Sequence, residues 1–413
     1  MPLRRCPPVP VRRDVRPWIR LGAVAGLLGL GVSACSGAAG DDGSSLSAPV
    51  VSGGSSSPSG SPSGSPTTSA SSTTPATTPV TTPAPTSPLI EVTEQSTVAK
   101  DLDVPWATAF LPDGSALLTL RDEARLLQVR DGQDPVDLGR VDGVQPGGEG
   151  GLLGVAVSPT FASDRSIFLY TTTAQDNRVV RVRFEDGKPS QQRAILTGIP
   201  KAGHHDGGRL KFGPDGFLYV TTGDAGQTNR SQDRSSLGGK ILRITADGSP
   251  APGNPFDGSP VWSYGHRNVQ GIAWAPDGTM YASEFGQNTW DELNRIEPGK
   301  NYGWPVVEGK GKRAGFVEPL VQWATSDASP SGIAHADGAI WMAALRGESL
   351  WRIPVSGNDA GEPQRLLQGE YGRLRDVVVA PDGRLWVLSN NTSRGNGAAD
   401  DDKLLAIPLD DLR

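Results

Sequence analysis

A histidine and an aspartate that flank a short turn are the residues best placed for acid–base chemistry. Residues 204–224 read HHDGGRLKFGPDGFLYVTTGD, and the alternating and β-branched apolar residues around Pro-Asp-Gly predict a β-hairpin. Because a hairpin folds its sequence about the turn, His205 and Asp224 are expected to face each other at its open end. A carboxylate beside an imidazole orients it and stabilises its charged form, as a general base requires. A purely structural hydrogen bond between the two is the alternative.

The elements that position this pair belong to a repeat. An apolar strand, Pro-Asp-Gly and a second apolar strand recur at 111–114, 213–216, 275–278 and 380–383, with degenerate copies at 158–159 and 335–338. These six copies are spaced roughly 45 to 60 residues apart, an interval that suits a four-stranded blade. The sequence therefore predicts an all-β fold, a six-bladed β-propeller of four-stranded blades. A β-sandwich with repeated turns is the alternative.

Charged residues occupy similar positions in successive repeats. Counted back from the turn proline of its own repeat, each stands six to ten residues away: Glu149 (ten), His205 (nine), Arg267 (nine), Arg373 (eight) and Arg375 (six). Equivalent positions of neighbouring blades lie on the same rim of the central channel, so a base, an acid and several cations are expected to converge there. Polar groups that converge in a concave site are typical of a ligand site.

The first 35 residues resemble an export signal. Six arginines precede an apolar segment at 21–34 that is short for a membrane span, and small residues precede Cys35. The sequence VSAC at 32–35 resembles the lipobox of bacterial lipoproteins, in which the cysteine is lipidated and becomes the new N-terminus. We therefore expect an exported protein that is lipid-anchored to the outer face of the cell membrane. An ordinary secretory signal is the alternative.

Composition divides the rest of the chain. Residues 36–88 are mostly Ser, Thr, Pro and Gly, which predicts a disordered tether, and residues 89–413 are assigned to the propeller. The only cysteines are Cys6 and Cys35, so no disulfide is expected in the folded region. Without the leader, which holds six arginines and one aspartate, the formal charge changes from −6 to −11. An acidic chain argues against nucleic-acid binding. Its oxygen ligands would suit calcium better than a transition metal.

Four motifs together resemble one family. HHDGGRL at 204–210, YGHRNVQG at 264–271, NYGWP at 301–305 and RLRD at 373–376 are similar to the soluble glucose/sorbosone dehydrogenases, also called aldose sugar dehydrogenases. The similarity extends over about residues 95–410. The family has a six-bladed propeller and depends on pyrroloquinoline quinone. The resemblance therefore implies oxidation of an aldose or related sugar at C1 by hydride transfer to the quinone.

The resemblance also implies roles for single residues. His205 matches the general base that takes the proton of the C1 hydroxyl, Asp224 matches its orienting carboxylate, and Arg267 matches the residue that stabilises charge on the quinone oxygen. The residues that match cofactor or substrate contacts are Glu149, Asn268, Trp323, Arg346, Arg373 and Arg375. Glu149 stands where the glucose-oxidising members have glutamine.

Calcium is implied in the same way. The segment SEFGQ at 283–287 matches a loop whose backbone carbonyls, here those of Gly286 and Gln287, hold the calcium bound to the cofactor. Asp291 and Glu292 match a region that carries a further calcium in some members. The small sugar and the electron acceptor are not identified by the sequence.

Two other readings remain open. A non-catalytic propeller lipoprotein that binds a cell-envelope glycan or a protein would not need the set His205, Arg267, Arg373 and Arg375, all of which are present. A calcium-dependent lactonase would need carboxylate ligands around a central metal, and the sequence offers no clear set.

Overall fold

The structure, a computed structural model, describes residues 97–185, 187–394 and 401–412. The predicted leader with Cys35 and the predicted tether lie outside the described residues. Within them the chain forms six antiparallel sheets that follow one another around a central channel. The predicted six-bladed β-propeller is confirmed.

The strands group into six blades. Strand β1 is Thr97–Leu102. The first three blades contain Pro105–Phe110 (β2), Ala116–Leu120 (β3), Arg125–Arg130 (β4) and Gln133–Arg140 (β5); Leu152–Val157 (β6), Ser166–Thr172 (β7), Asn177–Glu185 (β8) and Lys188–Ile199 (β9); and Leu210–Phe212 (β10), Leu218–Thr221 (β11), Lys240–Ile244 (β12) and Val261–Tyr264 (β13). The last three contain Val269–Trp274 (β14), Met280–Glu284 (β15), Trp290–Ile296 (β16) and Val321–Ala324 (β17); Pro330–Ala336 (β18), Ala339–Ala344 (β19), Ser349–Ser356 (β20), Asp359–Ala360 (β21) and Gln364–Leu366 (β22); and Leu374–Val379 (β23), Leu385–Ser389 (β24) and Asp402–Ile407 (β25).

The sixth blade is completed by the beginning of the described chain. Strand β1 pairs antiparallel with β25, with Thr97 opposite Leu405, so the sheet runs β1–β25–β24–β23. The first and last parts of the ring are thereby joined through backbone hydrogen bonds. This arrangement gives the sixth blade four strands, like the first four blades.

The repeated turns fix the orientation of every blade. All six join the first strand of a blade to the second, as where Gly216 donates to the carbonyl of Gly213 at 3.0 Å. Gly216 has φ +78°, which favours glycine. These turns define one mouth of the channel, called the turn face. The loops that precede each first strand, and those that join the second strand to the third, lie at the opposite mouth, called the site face.

Apolar side chains pack between neighbouring sheets and hold the blades together. The largest fully buried ones include Trp106, Trp341, Tyr170, Tyr281 and Phe168. Burying each such side chain contributes about 1.5–3 kcal/mol. Helical structure in the described residues is limited to α1 (Phe161–Asp164) and the 3-10 turns Thr228–Ser231, Thr392–Arg394 and Leu409–Leu412. No helix in this part of the chain has the length and apolar character to cross a membrane.

Candidate functional site

The predicted histidine–aspartate pair is present at the site face. His205 Nδ1 lies 2.7 Å from Asp224 Oδ1, and the Asp224 side chain is almost completely buried. However, the symmetry of the hairpin does not by itself place these two residues opposite each other. The ladder pairs Leu210 with Val220 and is centred on Asp215, so the strict mirror of His205 is Ala225. His205 has φ +60°, and this left-handed turn of the backbone takes its side chain out of the ladder geometry towards Asp224.

Three donors hold the Asp224 carboxylate. Oδ1 accepts from Gly226 N–H at 2.8 Å as well as from His205, and Oδ2 accepts from the Trp304 indole Nε1–H at 2.8 Å. Burial acts to raise the pKa of Asp224, but the hydrogen bonds from His205 and Trp304 outweigh it and lower the pKa. An ionised Asp224 only accepts, so Nδ1 of His205 carries the proton and Nε2 of the neutral ring has the lone pair that a base needs.

The loop that carries His205 is fixed by its neighbours. Glu149 Oε2 accepts from the His205 backbone N–H at 2.8 Å, and Asn268 Oδ1 accepts from Gly207 N–H at 3.0 Å. A Cβ atom at Gly223 would stand 1.9 Å from the carbonyl oxygen of His205. Glu149 and Asn268, both predicted as cofactor or substrate contacts, therefore join the base in one packed cluster.

Arg267 extends this cluster from the next blade. Its guanidinium carbon lies 5.4 Å from the centre of the Trp304 ring, and Nη1 donates to the carbonyl of Phe285 at 3.3 Å. Its Nε is buried and has no hydrogen-bond partner in the described part of the chain. Burial lowers the pKa of Arg267, while the charge of Asp224 opposes that shift.

Trp304 is a site residue to which no role was assigned from the sequence. Its motif, NYGWP at 301–305, was part of the family resemblance, but the motif has no charged group that would suggest chemistry. The structure shows that Trp304 contacts both the orienting carboxylate and Arg267. Only the fold brings this loop to the open end of the His205 hairpin, about 80 residues earlier.

Arg375 lies deeper in the channel with neutral partners. It donates to Gln270 Oε1 at 2.7 Å and to Asn390 Oδ1 at 3.1 Å, and among the described residues no carboxylate forms an ion pair with it. Burial, with repulsion from Arg121 and Arg373, holds the pKa of Arg375 well below its usual range. A bound anion would stabilise the charged guanidinium against its burial and against the repulsion from the other arginines. This region is therefore suited to a ligand that carries carboxylates.

The Gly286 loop folds around an acid that the sequence did not single out. Glu308 Oε1 accepts from the backbone N–H groups of Gln287, Thr289 and Trp290 at 2.9–3.0 Å and from that of Asn288 at 3.3 Å. In the described residues, the carbonyl oxygens of Gly286 and Gln287 accept no hydrogen bond. These two oxygens are the predicted calcium ligands, and their lone pairs are available to a cation.

Asp291 and Glu292, the residues predicted for a further calcium, have carboxylates that already accept hydrogen bonds from the protein. Asp291 accepts from the N–H groups of Gly286 and Ser329, and Glu292 accepts from Gly309 N–H and Asn294 Nδ2. As neighbours on β16 they point to opposite faces of the sheet. Within the described ranges no three His, Cys, Asp or Glu side chains are grouped to hold a metal. Burial raises the pKa of Asp291 to about 6 and that of Glu292 to about 8.

Within the described residues, Trp323 and Arg346 form no hydrogen bond or ring contact with the His205 cluster. Trp323 lies on the outer strand β17, is 6% exposed, and packs against Trp351 with ring centres 5.7 Å apart. A blade-core position of this kind differs from the predicted cofactor-stacking role, because the outer strand is remote from the channel. Arg346 is exposed in the turn between β19 and β20 at the site face. Arg373 immediately precedes the inner strand β23 at the same face, where its backbone N–H donates to Asn391 Oδ1 at 2.8 Å.

The comparisons with known proteins identify the class. Residues 102–397 match the model of the glucose/sorbosone dehydrogenase family. The match covers more than half of the chain, so the protein belongs to this family of oxidoreductases, as the motifs predicted.

Particular relatives agree with this. The chain is 34% identical to the aldose sugar dehydrogenase YliI of Escherichia coli strain K12 over 330 residues, which cover 71% of this chain and 88% of that one. The PQQ-bound aldose sugar dehydrogenase of Streptomyces coelicolor is 54% identical, with a TM-score of 0.74 and coverage of 76% of this chain and 96% of that one. The apo-form of the soluble E. coli enzyme is 32% identical, with a TM-score of 0.68 and coverage of 75% and 97%.

Proposed function

We propose that this protein oxidises an aldose or a related sugar at C1 with pyrroloquinoline quinone as its cofactor. The observation that carries the proposal is the His205–Asp224 contact in a channel that also holds the half-buried Arg267 and the buried Arg375. Neither arginine has a carboxylate ion-pair partner among the described residues. The similarity to a Streptomyces coelicolor aldose sugar dehydrogenase whose structure is PQQ-bound supports the choice of cofactor.

The residues at the site face fit this cofactor. Pyrroloquinoline quinone is a flat molecule with three carboxylates, and when bound it supplies the acceptor for the two electrons and the hydrogen of the sugar C1–H bond. Arg375 would hold a carboxylate, because a buried guanidinium whose hydrogen-bond partners in the described chain are neutral gains most from an anion. Arg373 lies two residues earlier, just before β23, and would add its charge beside Arg375. Arg267, with its unpartnered Nε, would stabilise negative charge on an oxygen of the quinone.

His205 would act as the general base. The ionised Asp224 holds the imidazole in the tautomer that leaves Nε2 free to accept the proton of the C1 hydroxyl. Asp224 also stabilises the imidazolium that then forms, and Trp304 keeps the carboxylate in place. Proton removal by a positioned base contributes about 10²–10⁴-fold to a rate.

A calcium ion held by the carbonyl oxygens of Gly286 and Gln287 is part of the proposal. Hard cations prefer oxygen ligands, and these two oxygens accept no hydrogen bond in the described chain. Arg267 donates to the carbonyl of Phe285, the residue before Gly286, so the residues that would hold the cation adjoin this guanidinium.

We further propose export and anchoring by a lipid at Cys35, with residues 36–88 as the spacer. This part of the proposal rests on the sequence alone. The protein would then meet its sugar outside the cytoplasmic membrane and pass electrons to an acceptor there.

The test is cofactor-dependent dye reduction. Purified protein is mixed with pyrroloquinoline quinone and calcium, and reduction of an artificial dye is followed with a panel of aldoses. Calorimetry measures cofactor binding in parallel, and Arg375→Met should weaken that binding while Arg384→Met, a change in an exposed turn-face ion pair, should not. Absence of cofactor binding would favour the non-catalytic propeller that binds a glycan or a protein.

The role of His205 has its own test. His205→Ala should lower kcat by about 10²–10⁴-fold. It should leave cofactor affinity nearly unchanged, because the imidazole would accept the proton of the sugar and would not bind a carboxylate of the cofactor. His335→Ala, at the other mouth of the channel, is the matched control. Equal losses of turnover and of cofactor binding in His205→Ala would indicate a structural role instead.

A further inference from the structure

The central channel has a second, separate cavity at the turn face. It has a volume of about 670 Å³ and is lined by the inner strands of all six blades. Its walls are mainly apolar, and the apolar lining side chains include Phe110, Phe212, Trp274, Ile333 and Val378. A site of this volume and character can hold a small organic molecule.

Polar groups without partners lie at the deep end of this cavity. Arg209 pairs through Nη1 with Asp376 at 3.0 Å, yet its buried Nη2 has no hydrogen-bond partner among the described residues. The buried hydroxyl of Thr108 is also unpartnered there. Lys211 lines the same cavity and is half-buried. Buried donors without acceptors are costly, so this end is suited to a ligand that accepts hydrogen bonds.

The charges at this end favour an anion. Lys211 and Arg209 are cationic, Asp376 is the single carboxylate among the cavity-lining residues, and His335 is the remaining titratable group. Burial lowers the pKa of Lys211 to about 8, and the charge of Asp376 opposes that shift. Burial also lowers the pKa of His335, while the charge of Asp277 opposes that shift. An anionic head group would compensate the excess positive charge.

We propose that this cavity binds an organic anion, with its carboxylate or sulfonate against Lys211, Arg209 and Thr108 and an aromatic body against the apolar walls. The site is distinct from the His205 site, because no residue of the His205 cluster lines this cavity and Arg375 does not line it either. Trp106 packs against both arginines: the guanidinium of Arg209 lies 4.3 Å from its ring centre and that of Arg375 lies 5.8 Å from it.

Two matched fluorescent probes test the proposal. The sulfonate 8-anilinonaphthalene-1-sulfonate should bind the folded protein saturably with one site per chain, and more tightly than the uncharged N-phenyl-1-naphthylamine. Lys211→Met should weaken sulfonate binding about tenfold or more and change binding of the uncharged probe little. Lys100→Met, on an exposed position of β1, is the control and should change neither.

The pH dependence and a blocking variant complete the test. Sulfonate affinity should fall between pH 7 and 9.5 as Lys211 loses its proton, and this fall should be absent in Lys211→Met. Ala109→Trp, at a partly exposed position in the cavity wall, should abolish binding of both probes. Absence of saturable binding, equal sulfonate affinity in Lys211→Met and the parent, or full binding by Ala109→Trp would each overturn the proposal. None of these measurements needs the quinone or a sugar.

Discussion

At the scale of single residues, the reactivity of His205 depends on how firmly Asp224 is held. The imidazole contributes one hydrogen bond to that carboxylate, and Gly226 and Trp304 contribute the others. A carboxylate that keeps its charge and position can orient the base in each catalytic cycle. The orientation of the base is therefore determined by groups that would not contact the sugar.

Trp304→Phe tests this dependence. The change keeps a ring beside Arg267 and removes only the indole donor to Asp224, so we expect kcat to fall about tenfold with little change in cofactor affinity. Trp262→Phe is the matched control, because the buried Trp262 Nε1 has no hydrogen-bond partner in the described chain. Steady-state kinetics checks this, and similar kcat values for the two variants would contradict it.

Glu292 should make stability depend on pH. Burial and the nearby Glu284 raise its pKa to about 8, from 4.5 in an unfolded chain. Between these values the folded state binds a proton that the unfolded state has lost. The contribution is therefore full below about pH 4.5 and is lost as the pH rises towards 8.

Glu292→Gln removes this titration, so the free energy of unfolding should vary less between pH 5 and 8 than in the parent. Denaturant unfolding at several pH values measures the difference. Glu362→Gln, at an exposed position, should behave as the parent does. A parent-like pH slope in Glu292→Gln would show that Glu292 is ionised in the folded chain.

At the scale of elements, the site depends on close contact between two loops. The loop before β10 carries His205, and the loop after β11 carries Asp224; they touch where Gly223 has no side chain. Asn268, from the loop before β14, accepts from Gly207 and joins a third segment to the contact. The catalytic geometry is thus a product of loop packing and not of one hairpin alone.

Gly223→Ala should disrupt this contact, because its Cβ would meet the His205 carbonyl oxygen at 1.9 Å. We expect a loss of unfolding free energy of about 3 kcal/mol and loss of turnover. Gly216→Ala, in an open turn with φ +78°, should cost only about 1 kcal/mol and retain turnover. Thermal unfolding and dye reduction measure both, and parent-like turnover in Gly223→Ala would be inconsistent with the packing argument.

At the scale of the whole molecule, ring closure places all six first strands around one channel. The pairing of β1 with β25 completes the last blade, and the sixth blade packs against the first through its apolar side chains. Closure thereby fixes the distance between Arg375, in the sixth blade, and Arg267, at the start of the fourth. A ring held in this way can keep residues from distant parts of the sequence in one site.

Removal of β1 should weaken the entire ring. A chain that begins at residue 103 would expose the edge of β25, so it should unfold at a lower temperature and aggregate more readily than a chain that begins at residue 96. Scanning calorimetry and light scattering measure these changes. Equal stability of the two chains would show that β1 does not contribute to closure.

Local pattern was sufficient to predict the repeat and the site face. Pro-Asp-Gly turns need particular backbone angles, so their recurrence reveals the blades and places Glu149, His205, Arg267, Arg373 and Arg375 at comparable positions. The hairpin pattern added Asp224, and a family motif added Asn268; both join the cluster. These residues could be predicted because turn geometry and strand register are encoded within short stretches of sequence.

Contacts between distant segments were decided only by the tertiary structure. Trp304 reaches Asp224 across about 80 residues, Trp323 packs inside a blade, and the oxygens of Asp291 and Glu292 accept backbone N–H groups. Which side chain fills a core, and which donor reaches a buried oxygen, depends on the packing of whole sheets. No local pattern in the chain contains that information.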